Sequence, residues 1–378
     1  MTKPNTIQIA KPSLGQEELK NVKKVFDTCW LGMGSFVYEF ERKIQEYLNV
    51  KYAVCVNTGT TGIHLALAAI GIKPGDEVVV PSLTFTGSVQ PILNLGAKPV
   101  FCEIEPDTLN IDVADAEKRI TKKTKAIICV HYGGVSCNMS RLLSIGRKRK
   151  LYIVEDAAHA FGSYYGAKRI GSFGHLAVFS FDPIKNMTCG EGGCVTTNDP
   201  KLAVVLRRKR LLGISKDTWM RYKNKRSWYY EVVTGGYRYH MSNINAAIGL
   251  AQFDKLRRFI GRKKEIVAEY DNAFRPSQYI ELLERNLDET APFNYTIKIA
   301  GDRDKFINYM QKQGIGVGIN YIPNHIQPYF RKFAKRLPVT ERVWKKIASL
   351  PLYYGMSGDD VKKVIFYTKK YVNKLKRS

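Results

Sequence analysis

A chain of 378 residues, 44% apolar and 25% charged, is too long for one small core and too apolar for an intrinsically disordered protein. Lys and Arg number 60 against 34 Asp and Glu, a net charge of +26; this reads as a solvated surface, with steering of an anionic substrate or a loose contact with nucleic acid or anionic lipid as alternatives. No apolar run reaches the roughly 20 residues of a membrane span, and the N-terminus lacks the apolar stretch of a secretory signal, so a cytoplasmic protein without integral membrane contact is expected. The seven cysteines (Cys29, Cys55, Cys102, Cys129, Cys137, Cys189 and Cys194) form no CxxC pair, which argues against a disulfide framework and against a metal site.

In chain order, short β-branched runs alternate with helical patterns. The runs are YAVCV (52–56), EVVVP (77–81), KPVFCEI (98–104), AIICVHY (126–132), LYIVEDA (151–157), LAVFSF (176–181) and GCVTTN (193–198). Continuous apolar strands with helices between them predict a mostly parallel sheet covered on both faces. Residues 201–275 read as long amphipathic helices around an irregular stretch at 214–241. Beyond about 276, strands at 295–300 and 315–321 and helices at 302–313 and 359–376 predict a small α+β domain. The expected division is a large domain over 1–260 and a small one over 261–378, with the N-terminal segment free to pack on the small one.

Three segments carry candidate chemistry. Asn57-Thr-Gly-Thr-Thr-Gly62 follows a strand and opens a helix. Such a turn offers backbone N–H groups and a positive helix end to one phosphate, or is simply an N-cap. Asp156 falls at the C-terminal end of an apolar strand, three residues before His159. A carboxylate there either caps a helix or pairs with a cation in the cleft at the strand ends, and His159 is either its hydrogen-bond support or a structural histidine. Lys185 lies between the strand AVFSF and the turn Gly190-Glu-Gly-Gly193; it is either a solvated lysine or a partly desolvated, nucleophilic one of the Schiff-base kind. Together, a phosphate turn, a strand-end carboxylate and a framed amine are the contacts that pyridoxal 5′-phosphate needs.

The sequence resembles the DegT/DnrJ/StrS family of pyridoxal-phosphate-dependent nucleotide-sugar aminotransferases, of fold type I. The resemblance spans about Leu14 to Val372 and rests on Gly59-Thr-Thr, the run PGDEVVVPSLTF from Pro74 to Phe85, Gly96-Ala-Lys-Pro-Val-Phe, Val130-His-Tyr-Gly-Gly, Glu155-Asp-Ala-Ala-His, Ser180-Phe…Lys185…Gly190-Glu-Gly-Gly, and Met241…Asn245-Ala-Ala-Ile-Gly-Leu-Ala-Gln. It implies an α/β fold with a mixed, mostly parallel seven-stranded sheet between helices, plus the small C-terminal α+β domain. It implies Lys185 as the Schiff-base lysine and Asp156 as the partner of the pyridine nitrogen, supported by His159. Phe85 resembles the aromatic side chain that stacks on the cofactor ring. The backbone N–H groups of Thr60 and Thr61 and the hydroxyl of Ser180 resemble the phosphate cup. In the family that cup is completed by the partner subunit through a Gly-Tyr-x-Tyr segment, where x is here Arg238 instead of the commoner Asn, and His240 replaces the commoner Arg.

The resemblance further implies a homodimer with shared active sites, L-glutamate as amino donor with 2-oxoglutarate as product, and a nucleotide-linked keto sugar as acceptor. Relatives that carry His instead of the lysine dehydrate the sugar, so Lys185 argues for amination. Val130-His-Tyr, Lys185-Asn, His325 and Ser349-Leu-Pro-Leu are similar to enzymes that aminate C4 of 4-keto sugars, with Tyr321, His325 and Asn186 as sugar contacts. A C3-specific aminotransferase or dehydratase on the same scaffold stays open as an alternative, as does a non-catalytic regulator or polyanion-binding protein. Nucleic acid is not expected as a partner.

Overall fold

A computed structural model describes residues 6–215 and 229–375. Its centre is a seven-stranded sheet of β1 (Tyr52–Val56), β2 (Glu77–Pro81), β3 (Lys98–Cys102), β4 (Thr124–Val130), β5 (Tyr152–Asp156), β8 (Leu176–Ser180) and β9 (Gly193–Thr197). A two-stranded hairpin, β6 (Tyr164–Tyr165) with β7 (Lys168–Arg169), lies outside it. The order across the sheet is β1-β9-β8-β5-β4-β2-β3. β9 runs antiparallel to both β8 and β1, and the other pairings are parallel. All seven runs read from the sequence are therefore strands of one mostly parallel sheet. The C-terminal ends of β1, β8, β5, β4 and β2 meet at one edge, where ligands bind in open α/β sheets.

Alternation along each strand explains why both faces are covered. Val78 and Val80 of β2 pack in one apolar cluster with Ile63, Leu65 and Leu67 of the helix Gly59–Ala69. Val79 points the other way, into a cluster with Leu142 and Ile145 of the helix Met139–Arg149. The helix Gly59–Ala69 is buried from Gly62 through Ala68, which is why its sequence is apolar all round and not striped.

The helix Asn243–Phe274 runs from this body to the smaller sheet of β10 (Ile280–Leu282), β11 (Tyr295–Ile299) and β12 (Ile347–Leu350), which is antiparallel in that order. Ile266, Val267, Tyr270 and Phe274 of the helix share that sheet's core, and Ile7 joins them from the N-terminal segment. The helices Arg303–Lys312 and Gly358–Leu375 fall where the pattern predicts. The stretch 315–321 differs from expectation. Among the described residues it makes only isolated bridges, Ile315 with Ile7 and Gly318 with Ser349: Gly316 sits against the backbone of Ile7–Ile9, and Asn320 and Tyr321 then line a cavity shared with Lys185. The predicted irregular stretch at 214–241 lies partly outside the described residues.

One buried ion pair fixes the end of β1. Glu41 and Arg210 are 3% and 2% exposed. Glu41 Oε1 accepts from Cys55 N at 2.8 Å, and Arg210 Nη1 donates both to that carboxylate and to Cys55 O, the latter at 2.8 Å. Breaking such a pair leaves a buried charge without its partner, which costs about 3–5 kcal/mol. Arg210→Met is therefore expected to destabilise the protein by about that amount, and the double variant with Glu41→Gln to recover much of it. Chemical denaturation at fixed protein and cofactor concentration checks this; a single-variant loss below about 1 kcal/mol would show that the pair contributes no more than a surface bridge.

Candidate active site

A cavity of about 530 Å³ opens at the C-terminal edge of the sheet, and Thr60, Phe85, Asp156, His159, Ser180, Lys185 and Tyr321 all line it. At its floor, β1 turns into the helix Gly59–Ala69. Thr58 caps this helix: its hydroxyl accepts from Thr61 N at 3.1 Å, and its carbonyl accepts from Gly62 N at 3.1 Å. The first two amides, those of Gly59 and Thr60, stay free of the cap and open to an anion at the positive helix end. Thr61 does not take the role expected of it. Its N–H is held by Thr58, its hydroxyl donates to Asn57 Oδ1 at 2.6 Å, and its side chain does not line the cavity. A Cβ on Gly59 would stand 2.8 Å from Ser180 Cβ. Only glycine lets the Ser180 hydroxyl, at the end of β8, come beside the free amides.

Asp156 ends β5 at 5% exposure. Its Oδ2 accepts from Ser88 Oγ at 2.6 Å and its Oδ1 from Ala158 N at 3.1 Å. Burial pushes its carboxyl pKa up, although both hydrogen bonds and the charge of Lys185 oppose the rise. A carboxylate that stays short of positive charge with these partners in place suits a site that receives a cation.

Lys185 is half-buried in the turn after β8, and its backbone N–H donates to Asp182 O at 3.1 Å. Its Nζ lies 4.3 Å from the centre of the Phe293 ring. Burial lowers its pKa, and the carboxylates of Asp182 and Asp156 counter part of that fall. More of the neutral, nucleophilic amine is then present near neutrality than on a surface lysine.

His159 does not bond Asp156. Its Nδ1 accepts from Gly133 N at 3.3 Å, which leaves Nε2–H to donate to Tyr321 Oη at 2.8 Å. Its ring stacks on Phe293 at 4.0 Å and 17°. Burial and the Lys185 charge hold its pKa well below the usual range, so it is neutral. The partner of Asp156 is instead Ser88, itself bonded to Thr84 Oγ1 at 2.7 Å. Both lie in the segment following β2, so its hydroxyl-rich sequence next to Phe85 was the available signal. Phe85 stands exposed at the cavity wall, 5.7 Å from the Tyr321 ring.

Three expected site residues lie elsewhere. His325 is buried between Ser82 Oγ at 2.7 Å and Glu341 Oε1 at 3.3 Å. Asn186 follows Lys185 but turns inward, donating to Phe161 O and Ala291 O at 3.3 and 3.2 Å. Both side chains are consumed by internal hydrogen bonds, and neither lines the cavity. Arg238 is exposed and lines a separate hollow with Trp30, Tyr230 and His240. The described residues contain no cluster of His, Cys, Asp or Glu suited to a metal ion.

The residues present fit pyridoxal phosphate: open helix amides and a hydroxyl for the phosphate, a charge-deficient carboxylate for the pyridinium, and an amine of lowered pKa. Comparisons with known proteins agree. SpsC, a spore coat polysaccharide biosynthesis protein of Bacillus subtilis, is 39% identical over 365 residues, 94% of each chain. The uncharacterized protein MJ1066 of Methanocaldococcus jannaschii is 39% identical over 373 residues, 96% of this chain and 97% of its own. The putative sugar aminotransferase Spr1654 of Streptococcus pneumoniae, solved in PMP-form, superposes with a TM-score of 0.92 at 30% identity, covering 97% of this chain and 99% of that one. It was also solved in PLP-form. The family model of the DegT/DnrJ/EryC1/StrS aminotransferases matches residues 12–368, and the chain belongs to that family.

Proposed function

We propose that the protein transfers the amino group of L-glutamate to the ketone of a nucleotide-linked keto sugar, releasing 2-oxoglutarate and yielding a nucleotide amino sugar for glycan biosynthesis in the cytoplasm. The favoured acceptor is a 4-keto-6-deoxy or related 4-keto sugar. The observation that carries the reading is the convergence of the Lys185 amine, the Asp156 carboxylate and the open amides of Gly59 and Thr60 in one cavity. The family's likeness to sugar aminotransferases and to a polysaccharide biosynthesis protein supports the sugar acceptor. Among the described residues no helix is long and apolar enough to cross a membrane.

Pyridoxal 5′-phosphate, the cofactor of this enzyme, supplies an electron sink for cleavage at the donor's α-carbon. Asp156, held in place by Ser88 and Ala158, would pair with the ring nitrogen and favour its protonated form. The amides of Gly59 and Thr60 and the Ser180 hydroxyl would bind the phosphate. Lys185 is the amine that would hold the cofactor covalently. Its free amine would take the proton from the α-carbon of glutamate and, in the second half of the exchange, deliver a proton to the sugar carbon that receives the amino group. Phe85 and Tyr321 together form one aromatic wall of the cavity. The large domain is assigned to 1–260 and the small one to 261–378, with Ile7 and its neighbours packed on the latter.

The neighbouring subunit is assigned the remaining phosphate contact. Arg238 does not face its own chain's cavity, and the large apolar side chains beside it, Tyr229, Tyr230, Val232 and Val233, are about half exposed. His240 Nδ1 is buried there without a hydrogen bond among the described residues. An apolar patch of this kind suits a second copy of the chain, and a guanidinium adds two charge-assisted hydrogen bonds to a phosphate.

Four experiments test the reading. A panel of 4-keto and 3-keto nucleotide sugars with glutamate, read by mass spectrometry, should give the amine at C4, and borohydride should label Lys185. Lys185→Ala should lose that label and at least about a thousandfold in turnover; labelling of another lysine would refute the assignment. Asp156→Asn should cost roughly 3 kcal/mol in the barrier, on the order of a hundredfold, while keeping the fold, since its amide oxygen still accepts from Ala158; full activity in a poorly folded variant would leave Asp156 a structural role only. Finally, inactive Lys185→Ala mixed with weakened Arg238→Ala should regain activity on subunit exchange, because a hybrid dimer holds one intact site. Confirmed exchange without recovery would remove Arg238 from the neighbour's site.

A further inference from the structure

Tyr321 ends a hydrogen-bond chain whose direction is fixed. Gly133 N donates to His159 Nδ1 at 3.3 Å, so the neutral ring carries its proton on Nε2 and donates it to Tyr321 Oη at 2.8 Å. The Asn320 side chain hydrogen-bonds the same phenol and favours its deprotonated form, so it too donates to Oη. A phenol oxygen that accepts twice still has one proton to give, and among the described residues nothing takes it. Tyr321 lines the cavity of about 530 Å³ together with Lys185, Asp156 and Asp182. The hydroxyl and the Lys185 amine also meet one stacked pair of rings. Lys185 Nζ lies 4.3 Å from the centre of Phe293, His159 stacks on Phe293 at 4.0 Å, and Tyr321 is bonded to His159.

We infer that Tyr321 is a proton donor to the ketone oxygen of the substrate, with His159 as the positioning residue that keeps the phenol oxygen an acceptor and so turns its proton to the cavity. The inference rests on the reading of this cavity as the place where a ketone meets an amine, and it names the group that handles the oxygen. The neighbours select which oxygen that is. Burial, with Tyr132, Asp156 and Asp182 adding to it, pushes the pKa of Tyr321 up against the Asn320 bond, so the hydroxyl keeps its proton at neutral pH. A carboxylate or a phosphate in this corner would stand as a further negative charge beside Asp156 and Asp182. A ketone oxygen is neutral until the amine attacks. As the amine nitrogen bonds to the carbonyl carbon, the C=O π pair moves to the oxygen, which takes the Tyr321 proton. The nitrogen then gives its surplus proton to the phenolate, which the His159 and Asn320 donors stabilise meanwhile. A second exchange protonates the new hydroxyl, which leaves as water while the nitrogen lone pair forms C=N and the proton left on nitrogen restores Tyr321. Run backwards, the same steps release 2-oxoglutarate.

The test uses the holoenzyme and two isotopic readouts. Exchange of the α-hydrogen of glutamate with deuterated water, followed by proton NMR, needs the Lys185 amine but no ketone oxygen. Passage of the amino group from unlabelled glutamate to isotopically labelled 2-oxoglutarate, followed by mass spectrometry, needs both. Tyr321→Phe keeps the aromatic wall and removes the hydroxyl. It should slow the amino transfer by about a hundredfold, the scale of a lost general acid, while α-hydrogen exchange stays close to that of the original protein. A loss of transfer below about tenfold overturns the inference, and so does a comparable loss of both readouts, which is what a merely structural role gives. If Tyr321→Phe does not fold, Tyr321→Leu is read by the same criteria; if neither folds, Tyr321 is structural and the inference falls. Absence of α-hydrogen exchange in the original holoenzyme would instead refute Lys185 as the reacting amine, so the two failures are told apart.

Discussion

Asp156 is a carboxylate taken out of water at the end of a parallel strand, with one hydroxyl and one amide as its direct partners. Burying a charge is costly unless it is matched, and the protein's own groups leave this one partly unmatched, as the upward push on its pKa records. The rest of the cavity follows from that constraint. Ser88 is held by Thr84 so that it points at the carboxylate. Lys185 stands near enough to feel it. His159, which could have neutralised it, is turned to Gly133 and Tyr321 and kept uncharged. A protonated pyridine ring, as in the proposed function, would supply the positive charge that the carboxylate lacks.

The anion end depends on how closely two elements approach. β8 comes beside the helix Gly59–Ala69 because Gly59 has no side chain to keep Ser180 away. The turn between β1 and that helix is in turn held by the Glu41–Arg210 pair, which grips both backbone groups of Cys55 two residues before Asn57. A phosphate site made of backbone amides is only as well placed as the strand that feeds it. A buried charge pair is a poor source of stability compared with apolar packing, so its value at this position is geometric: it locks the end of the outermost strand of the sheet, just before the single bridge of Val56 to His240.

How much of this could be read in advance follows from what each feature depends on. The seven large-sheet strands were legible because strands buried on both faces are continuous apolar runs, as in EVVVP and AIICV. The meeting of Lys185, Asp156 and Ser180 in one cavity was legible because it depends on position at or near strand ends, which is local. The stretch 315–321 misled because its apolar residues alternate with glycines, a strand-like pattern, while its real partners are single contacts to Ile7 and Ser349. His325, Asn186 and Thr61 misled for a related reason. Their residue types suit binding, but each spends its polar atoms on partners that sequence spacing does not reveal, such as Glu341, Ala291 and Thr58. Ser88 was missed because its hydroxyl-rich segment beside Phe85 marks a cluster of polar side chains without saying which of them the fold brings to Asp156.

The charge of the chain illustrates the same limit. A surplus of 26 positive charges describes the surface, and it says little about the reacting centre, where position decides. Asp182 and Asp156 favour the Lys185 cation, and burial disfavours it. In a low-dielectric cavity these few groups outweigh dozens of exposed lysines, because exposed charges are screened by water and salt within about 10 Å. The roles proposed for Lys185, as covalent link, neutral base and proton carrier, would need its charged and neutral forms close in free energy. Two carboxylates alone would hold it charged, and burial alone would hold it neutral. The arrangement around Lys185 sets these influences against one another, which is what a residue that both binds and moves a proton requires.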